Sequence, residues 1–218
     1  MIRLPRPAVT AAAMLGLFSL IGTGLVALVH ENTAARIAEN QRQTLLHTLQ
    51  ALIPPNWCDN DMLADAIEVS DADLGTSHPV PVYRARKGGQ PVAAVLSPSA
   101  PDGYNGEIRL LVAVRADGTL AGVRVLAHKE TPGLGDPIDE NKSNWILGFD
   151  GRSLDNPPEA LWKVKRDGGV FDQFTGATIT PRAVVKAVRK TLAYFGRNKD
   201  ALFSAQAQAG VDSPVEDR

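Results

Sequence analysis

The chain of 218 residues has a single cysteine, so it forms no disulfide within itself and builds no thiolate zinc or iron–sulfur centre. It lacks a basic surplus: 23 Lys and Arg stand against 24 Asp and Glu, a net charge of −1. Nucleic-acid binders ordinarily carry such a surplus, which argues against nucleic acid as a partner. No G-x-G-x-x-G follows a strand, and no Ser/His/Asp or paired-carboxylate arrangement can be placed. A stand-alone reductase with its own substrate is therefore disfavoured. There are no internal repeats. The 44% apolar and 22% charged content is that of a folded chain, so disorder throughout is excluded.

A local absence is more telling. Pro7 to Val29 contains no charged side chain, and as a helix that run is about 34 Å long, enough for a hydrocarbon core of about 30 Å. It exceeds the roughly 7–15-residue apolar region of a cleaved signal peptide, and no A-x-A site closes it, so we expect an uncleaved anchor. Arg3 and Arg6 precede it, which predicts a cytoplasmic amino terminus. Arg36 and Arg42, beyond the span, weaken that orientation without reversing it. Everything after His30 then lies outside the cytoplasm, in the periplasm of a Gram-negative host. Cys58, beside Trp57, reads as a small apolar filler.

Residues 31–53 read as a helix continuing the span and stopped by Pro54-Pro55. A second helix is expected over 60–69. Strands are expected at Val80–Ala85, Val92–Leu96, Ile108–Val114 and Leu120–Leu126, the last two joined by an Ala116-Asp117-Gly118 hairpin. A further helix is expected at 138–147 and a strand at Leu161–Lys165. The last helix is expected to start with Thr180 as its cap and Pro181 at its first position, with Val184, Val185, Val188, Leu192 and Phe195 on one face. Arg182, Lys186, Arg189 and Lys190 fill the other face. The expected class is α+β: one amino-terminal transmembrane helix, then an extracytoplasmic domain with a small antiparallel sheet and packed helices. The expected bounds are a tip at 1–6, a span at 7–29, a helical connecting segment at 30–79, a domain at 80–200 and a tail at 201–218.

Two stretches carry chemistry. In His128-Lys129-Glu130-Thr131-Pro132-Gly133-Leu134-Gly135, the glycines permit close backbone approach to a flat ligand and expose N–H donors. Asp172-Gln173-Phe174-Thr175-Gly176-Ala177-Thr178 leads into the last helix. That helix start suits an anion such as a phosphate, and Arg182 and Lys186 add positive charge. Gly176 and Ala177 leave the Thr178 hydroxyl accessible. On residue chemistry alone, a tight loop and a run of turn threonines explain the same letters. His128, Trp145 and Trp162 read as structural before anything else.

Asp172-x-x-Thr175-Gly176-Ala177-Thr178 resembles the flavinylation motif of FMN-binding domains, and His128–Gly135 resembles that family's H-x-E-T-P-G-L-G segment. Thr175 stands where many members have Ser. With the span and the sequence GYNGEIRLLVAV at 103–114, the arrangement resembles the G subunits of Rnf (Rsx) ion-translocating electron transport complexes. The C subunit of the sodium-pumping NADH:quinone reductase shares the domain and is the alternative. The resemblance implies one FMN per chain, moved from FAD by a flavin transferase onto Thr178 as a phosphoester. It also implies that Thr175, Gly176 and Ala177 meet the phosphate end, and that Glu130, Thr131, Gly133, Leu134 and Gly135 line the flavin. The implied partners are the bilayer and the other subunits, iron–sulfur and flavin subunits among them, at a bacterial inner membrane. The implied role is relaying electrons within a redox-driven ion translocase. A membrane-tethered binding module without covalent flavin is the competing class.

Overall fold

The computed structural model describes residues 6–206. The expectations for Arg3 and for the end of the tail lie outside the described residues. Within them are two units, residues 6–46 and 47–206. Helix α1, Arg6–Leu52, contains the whole uncharged run and ends ahead of Pro54-Pro55. It is long and apolar enough to cross a membrane, and Leu15, Phe18, Leu20, Leu25 and Val26 on it are exposed. Asn32 and Thr33 bond back to the carbonyls of Leu28 and Val29, where the apolar run gives way to polar sequence.

The second unit is built on one antiparallel sheet of six strands. These are β1 (Ala66–Val69), β2 (Val80–Lys87), β3 (Gln90–Leu96), β4 (Ser99–Ala100), β5 (Ile108–Arg115) and β6 (Leu120–Ala127). β1, β2 and β3 pair in chain order. β3 and the short β4 lie end to end along one edge of β5, and β6 takes the other edge. The Ala116-Asp117-Gly118 hairpin forms as expected: Gly118 has φ +88° and Asp117 accepts the Thr119 N–H.

Alternation along β5 sorts its residues between the two faces of the sheet. Ile108, Leu110, Val112 and Val114 join the main core with Val82, Leu96 and Val123. Helix α2, Ile179–Ser204, contributes Val184, Val185, Val188, Leu192 and Phe195 to that core. On the opposite face Leu111 and Ala113 are also buried, and there Gly122 lies against Leu52.

Four expectations are corrected. Residues 60–69 hold no helix: Asp61 accepts the Leu63 and Ala64 N–H groups in a turn, and Ala66–Val69 becomes β1 because it pairs with β2. Residues 138–147 form 3-10 turns at Asp136–Ile138 and Trp145–Phe149. There Asp139 and Ser143 bond nearby backbone N–H groups and compete with the helix. Leu161–Lys165 is no strand: only Val164 bridges, to Phe171. Finally, α2 begins before Thr180, with Thr178 as cap residue and Pro181 third in the helix. The first N–H groups of a helix have no intrahelical partner, so proline fits there equally well.

Candidate functional site

Residues 128–178 contain only short 3-10 segments, turns and isolated bridges, yet aromatic packing fixes them. Phe149 stacks on Phe171 at 4.6 Å between ring centres, and Trp162 lies 5.1 Å from Phe171. Trp145 meets Phe149 and Phe174 edge-on at 5.4 and 5.2 Å. Its indole N–H donates to the Asp172 carbonyl at 2.8 Å, and that of Trp162 donates to Ser153 and Pro157. Phe171 and Phe174 flank the start of the threonine stretch, so both tryptophans act as its support.

The threonine stretch then turns sharply. The Ala177 N–H donates to the Phe174 carbonyl at 3.2 Å, and Gly176, with φ +81°, occupies the third position of that turn. Only glycine takes this conformation freely. Thr175 and Gly176 are exposed; Ala177 and Thr178 are half-buried. Thr178 caps α2 in a helical conformation, and its side chain makes no capping hydrogen bond. The first backbone bond of the helix, from Arg182 N–H to the Thr178 carbonyl, is long at 3.4 Å. The hydroxyl is thus left free at a helix start, where the dipole favours an anion.

The fold brings the glycine-rich stretch against this turn. Leu134 Cδ2 lies 3.7 Å from where a Gly176 Cβ would stand. A Cβ on Gly135 would come within 2.9 Å of both Glu130 and the Thr180 hydroxyl. Glu130 is only 5% exposed. Its Oε1 accepts the Asn105 N–H at 3.0 Å, and its Oε2 accepts the Thr180 hydroxyl. The Asn105 side chain donates to the Thr131 hydroxyl at 3.0 Å, bringing the 103–106 loop to the same place. His128 accepts the Glu130 N–H through Nδ1, so in the neutral ring the proton sits on Nε2.

Two expectations about electrostatics change. The glycine N–H groups are not free: Gly133 donates to Asp136, and both Leu134 and Gly135 donate to the Thr131 carbonyl. Six residues closing into one tight loop satisfy their own donors. The cations of α2 are also engaged. Arg182 binds Asp167 through two 2.6 Å bonds, and Lys186 pairs with Asp102. Each contact holds the carboxyl below the usual carboxylate range. The positive character left at the helix start is mainly that of its N–H groups.

Sequence reading missed Tyr104 and Ile179. Together with Leu134 they are the large apolar side chains most exposed in this unit, at 65%, 46% and 46%. Ile179 directly follows Thr178 and lines a hollow of about 200 Å³ with Asp102, Arg182, Ala183 and Lys186. Only exposure, which a sequence does not display, marks them out.

Residues 103–193 match the family described as FMN-binding domain, and residues 1–52 match the RnfG N-terminal region. The chain is 54% identical over 200 residues to the G subunit of an ion-translocating oxidoreductase complex of Pseudomonas aeruginosa, covering 91% of this chain and 94% of that one. A protein of the same description from Shewanella loihica is 51% identical over 207 residues, covering 94% and 98%. One from Vibrio cholerae is 49% identical over 189 residues, covering 87% and 90%.

Proposed function

Since the chain belongs to the G-subunit family of ion-translocating oxidoreductase complexes and carries an FMN-binding domain, we propose that Thr178 holds its FMN covalently. The observation that carries this reading is a threonine hydroxyl left uncapped at the start of α2, beside a glycine turn and the glycine-rich loop. In the attachment step the Thr178 oxygen bonds to the FMN phosphorus of FAD. The pyrophosphate P–O bond breaks, adenylate leaves, and the hydroxyl proton passes to the transferase or to water. The product keeps one negative charge on phosphorus, and the N–H groups of Ile179 and Thr180 at the helix start receive it.

Thr175, Gly176 and Ala177 lie at the phosphate end, and Thr131, Gly133, Leu134 and Gly135 form the wall facing the ring. Exposed Leu134, Ile179 and Tyr104 offer the apolar surface that a flat ring system needs. When bound, FMN supplies one- and two-electron chemistry, and the protein supplies placement and electrostatics. In this reading α1 spans the inner membrane over residues 7–29, with its amino end cytoplasmic and the domain periplasmic. The domain relays electrons among the other subunits.

The test is coexpression with a flavin transferase, followed by denaturing electrophoresis and mass spectrometry. The full chain should fluoresce, with the FMN mass on the peptide containing Thr178. Thr178→Ala should lose both signals and keep its melting temperature. An unmodified wild-type peptide contradicts the proposal, and so does a complex that works normally with Thr178→Ala.

A further inference from the structure

We propose that Glu130 is a positioning residue, not a flavin contact: through Thr180 it fixes the first turn of α2 and so presents the Thr178 hydroxyl for modification. The inference rests on the reading of Thr178 as the attachment point.

Glu130 is a buried acid, and no salt bridge to it is found among the described residues. A carboxylate in such a place is costly unless fixed donors surround it. Its two oxygens draw those donors from separate segments: the Asn105 N–H from the 103–106 loop and the Thr180 hydroxyl from α2. Gly103 and Gly135 make room for it, since a Cβ on either would come within about 3.0 Å of a Glu130 oxygen. Thr180 is fully buried, so its side chain has no access to a ligand in solvent.

The start of α2 needs such an anchor because its own fastenings are weak. Thr178 makes no capping bond, and the first helical hydrogen bond measures 3.4 Å. A Thr at the cap ordinarily helps fasten a helix start through its own hydroxyl. Here the Glu130–Thr180 bond does it two residues further on, and the Thr178 hydroxyl is released. The carboxylate also places negative charge at the positive end of the helix dipole, where it is favoured.

The experiment uses the full chain in detergent with a flavin transferase and FAD, following covalent fluorescence over time to give kcat and KM for the chain as substrate. Thr180→Val keeps the side-chain volume and removes the hydroxyl. It should lower kcat at least tenfold with KM within twofold, and Thr180→Ser should restore the rate. Because Thr180→Val leaves the buried carboxylate short of a donor, the double variant Glu130→Gln/Thr180→Val removes the link without a stranded charge. That double variant should be slowed to the same degree, again with KM within twofold. Wild-type rates in either variant overturn the inference, as does an effect confined to KM. Wild-type chain that takes up no flavin overturns the attachment reading itself, a result distinguishable from the others.

Discussion

The buried guanidinium of Arg84 donates to the main-chain carbonyl of Ala205 at 2.6 Å, just past the last turn of α2. It also donates to the Leu202 carbonyl, and neighbouring Arg86 donates to that of Phe203. The Asp65 carboxylate takes one bond from each guanidinium, and its backbone carbonyl takes another from Arg84 Nε, which keeps the pair in place. The last carbonyls of a helix have no partners within it and carry its negative pole. The helix is thus held at opposite ends by a carboxylate at the positive pole and two arginines at the negative one. Its near end carries Thr178, so both clamps bear on where that hydroxyl sits.

Arg84→Met should therefore be among the costliest single changes outside the apolar core. It removes every bond of a side chain that is 1% exposed and leaves two helix-end carbonyls unpaired. Breaking a buried pair in this way costs about 3–5 kcal/mol. Urea unfolding of the detergent-solubilised chain should show a lowered midpoint with little change in slope. A loss under about 1 kcal/mol, the range of surface ion pairs, would show that the contact carries little.

The two loop glycines should respond differently to alanine. Gly133 has φ +76° and open space around its missing Cβ, so Gly133→Ala costs about 1–2 kcal/mol of backbone strain only. A Cβ on Gly135 would collide with Glu130 and Thr180, so Gly135→Ala should cost about 1–3 kcal/mol by overpacking. It should also slow flavin attachment. The attachment rate checks this: Gly135→Ala should be slowed as Thr180→Val is. A wild-type rate in Gly135→Ala would mean that packing against Glu130 does not matter to the acceptor.

Asp73 supplies a pH signature. Its carboxyl is held below the usual carboxylate range, chiefly by the Arg197 hydrogen bond at 2.5 Å and also by Lys190. A depressed folded-state value means stability that is present above the unfolded pKa and lost as pH falls through the folded one. Asp73→Asn should lower stability at pH 7 by less than about 1 kcal/mol, since the site is partly exposed. That difference should vanish in acid, below the ordinary Asp range, and shrink in high salt. A wild-type advantage that does not shrink as the pH falls would point to packing, not charge.

Much of this architecture can be read from the chain because its signals are local. The strands β2, β3, β5 and β6 carry their own alternation, Asp117-Gly118 marks a hairpin, and the apolar face of α2 runs from Val184 to Phe195. What could not be read depends on distant partners. Strand β1 is four residues whose strand character comes from pairing with β2. Arg84 lies in VPVYRARK, a strand with the look of an exposed edge, yet its charge is buried because helix carbonyls 118 and 121 residues away need it. Glu130 sits in a motif that suggests ligand contact, and only the fold shows both its oxygens committed to Asn105 and Thr180. Across 136–149 short polar side chains satisfy the backbone locally, which defeats periodicity as a guide.

The single cysteine gives a direct test of orientation. Cys58 is half-exposed in the second unit and is the only thiol in the chain. Burial, and then the neighbouring charge of Asp59, push its pKa above the ordinary thiol value, with Lys87 opposing. The thiolate is the reactive form, so labelling by a maleimide should be slow at pH 7 and rise about tenfold per pH unit, without levelling by pH 8.5. If the domain is periplasmic, a membrane-impermeant maleimide added to intact spheroplasts labels the chain fully, and lysis adds nothing. Cys58→Ser supplies the blank. Labelling that requires lysis would place the domain on the cytoplasmic side and reverse the orientation drawn from Arg3 and Arg6. A rate that levels near neutral pH would show that the thiol is not held up by burial and Asp59.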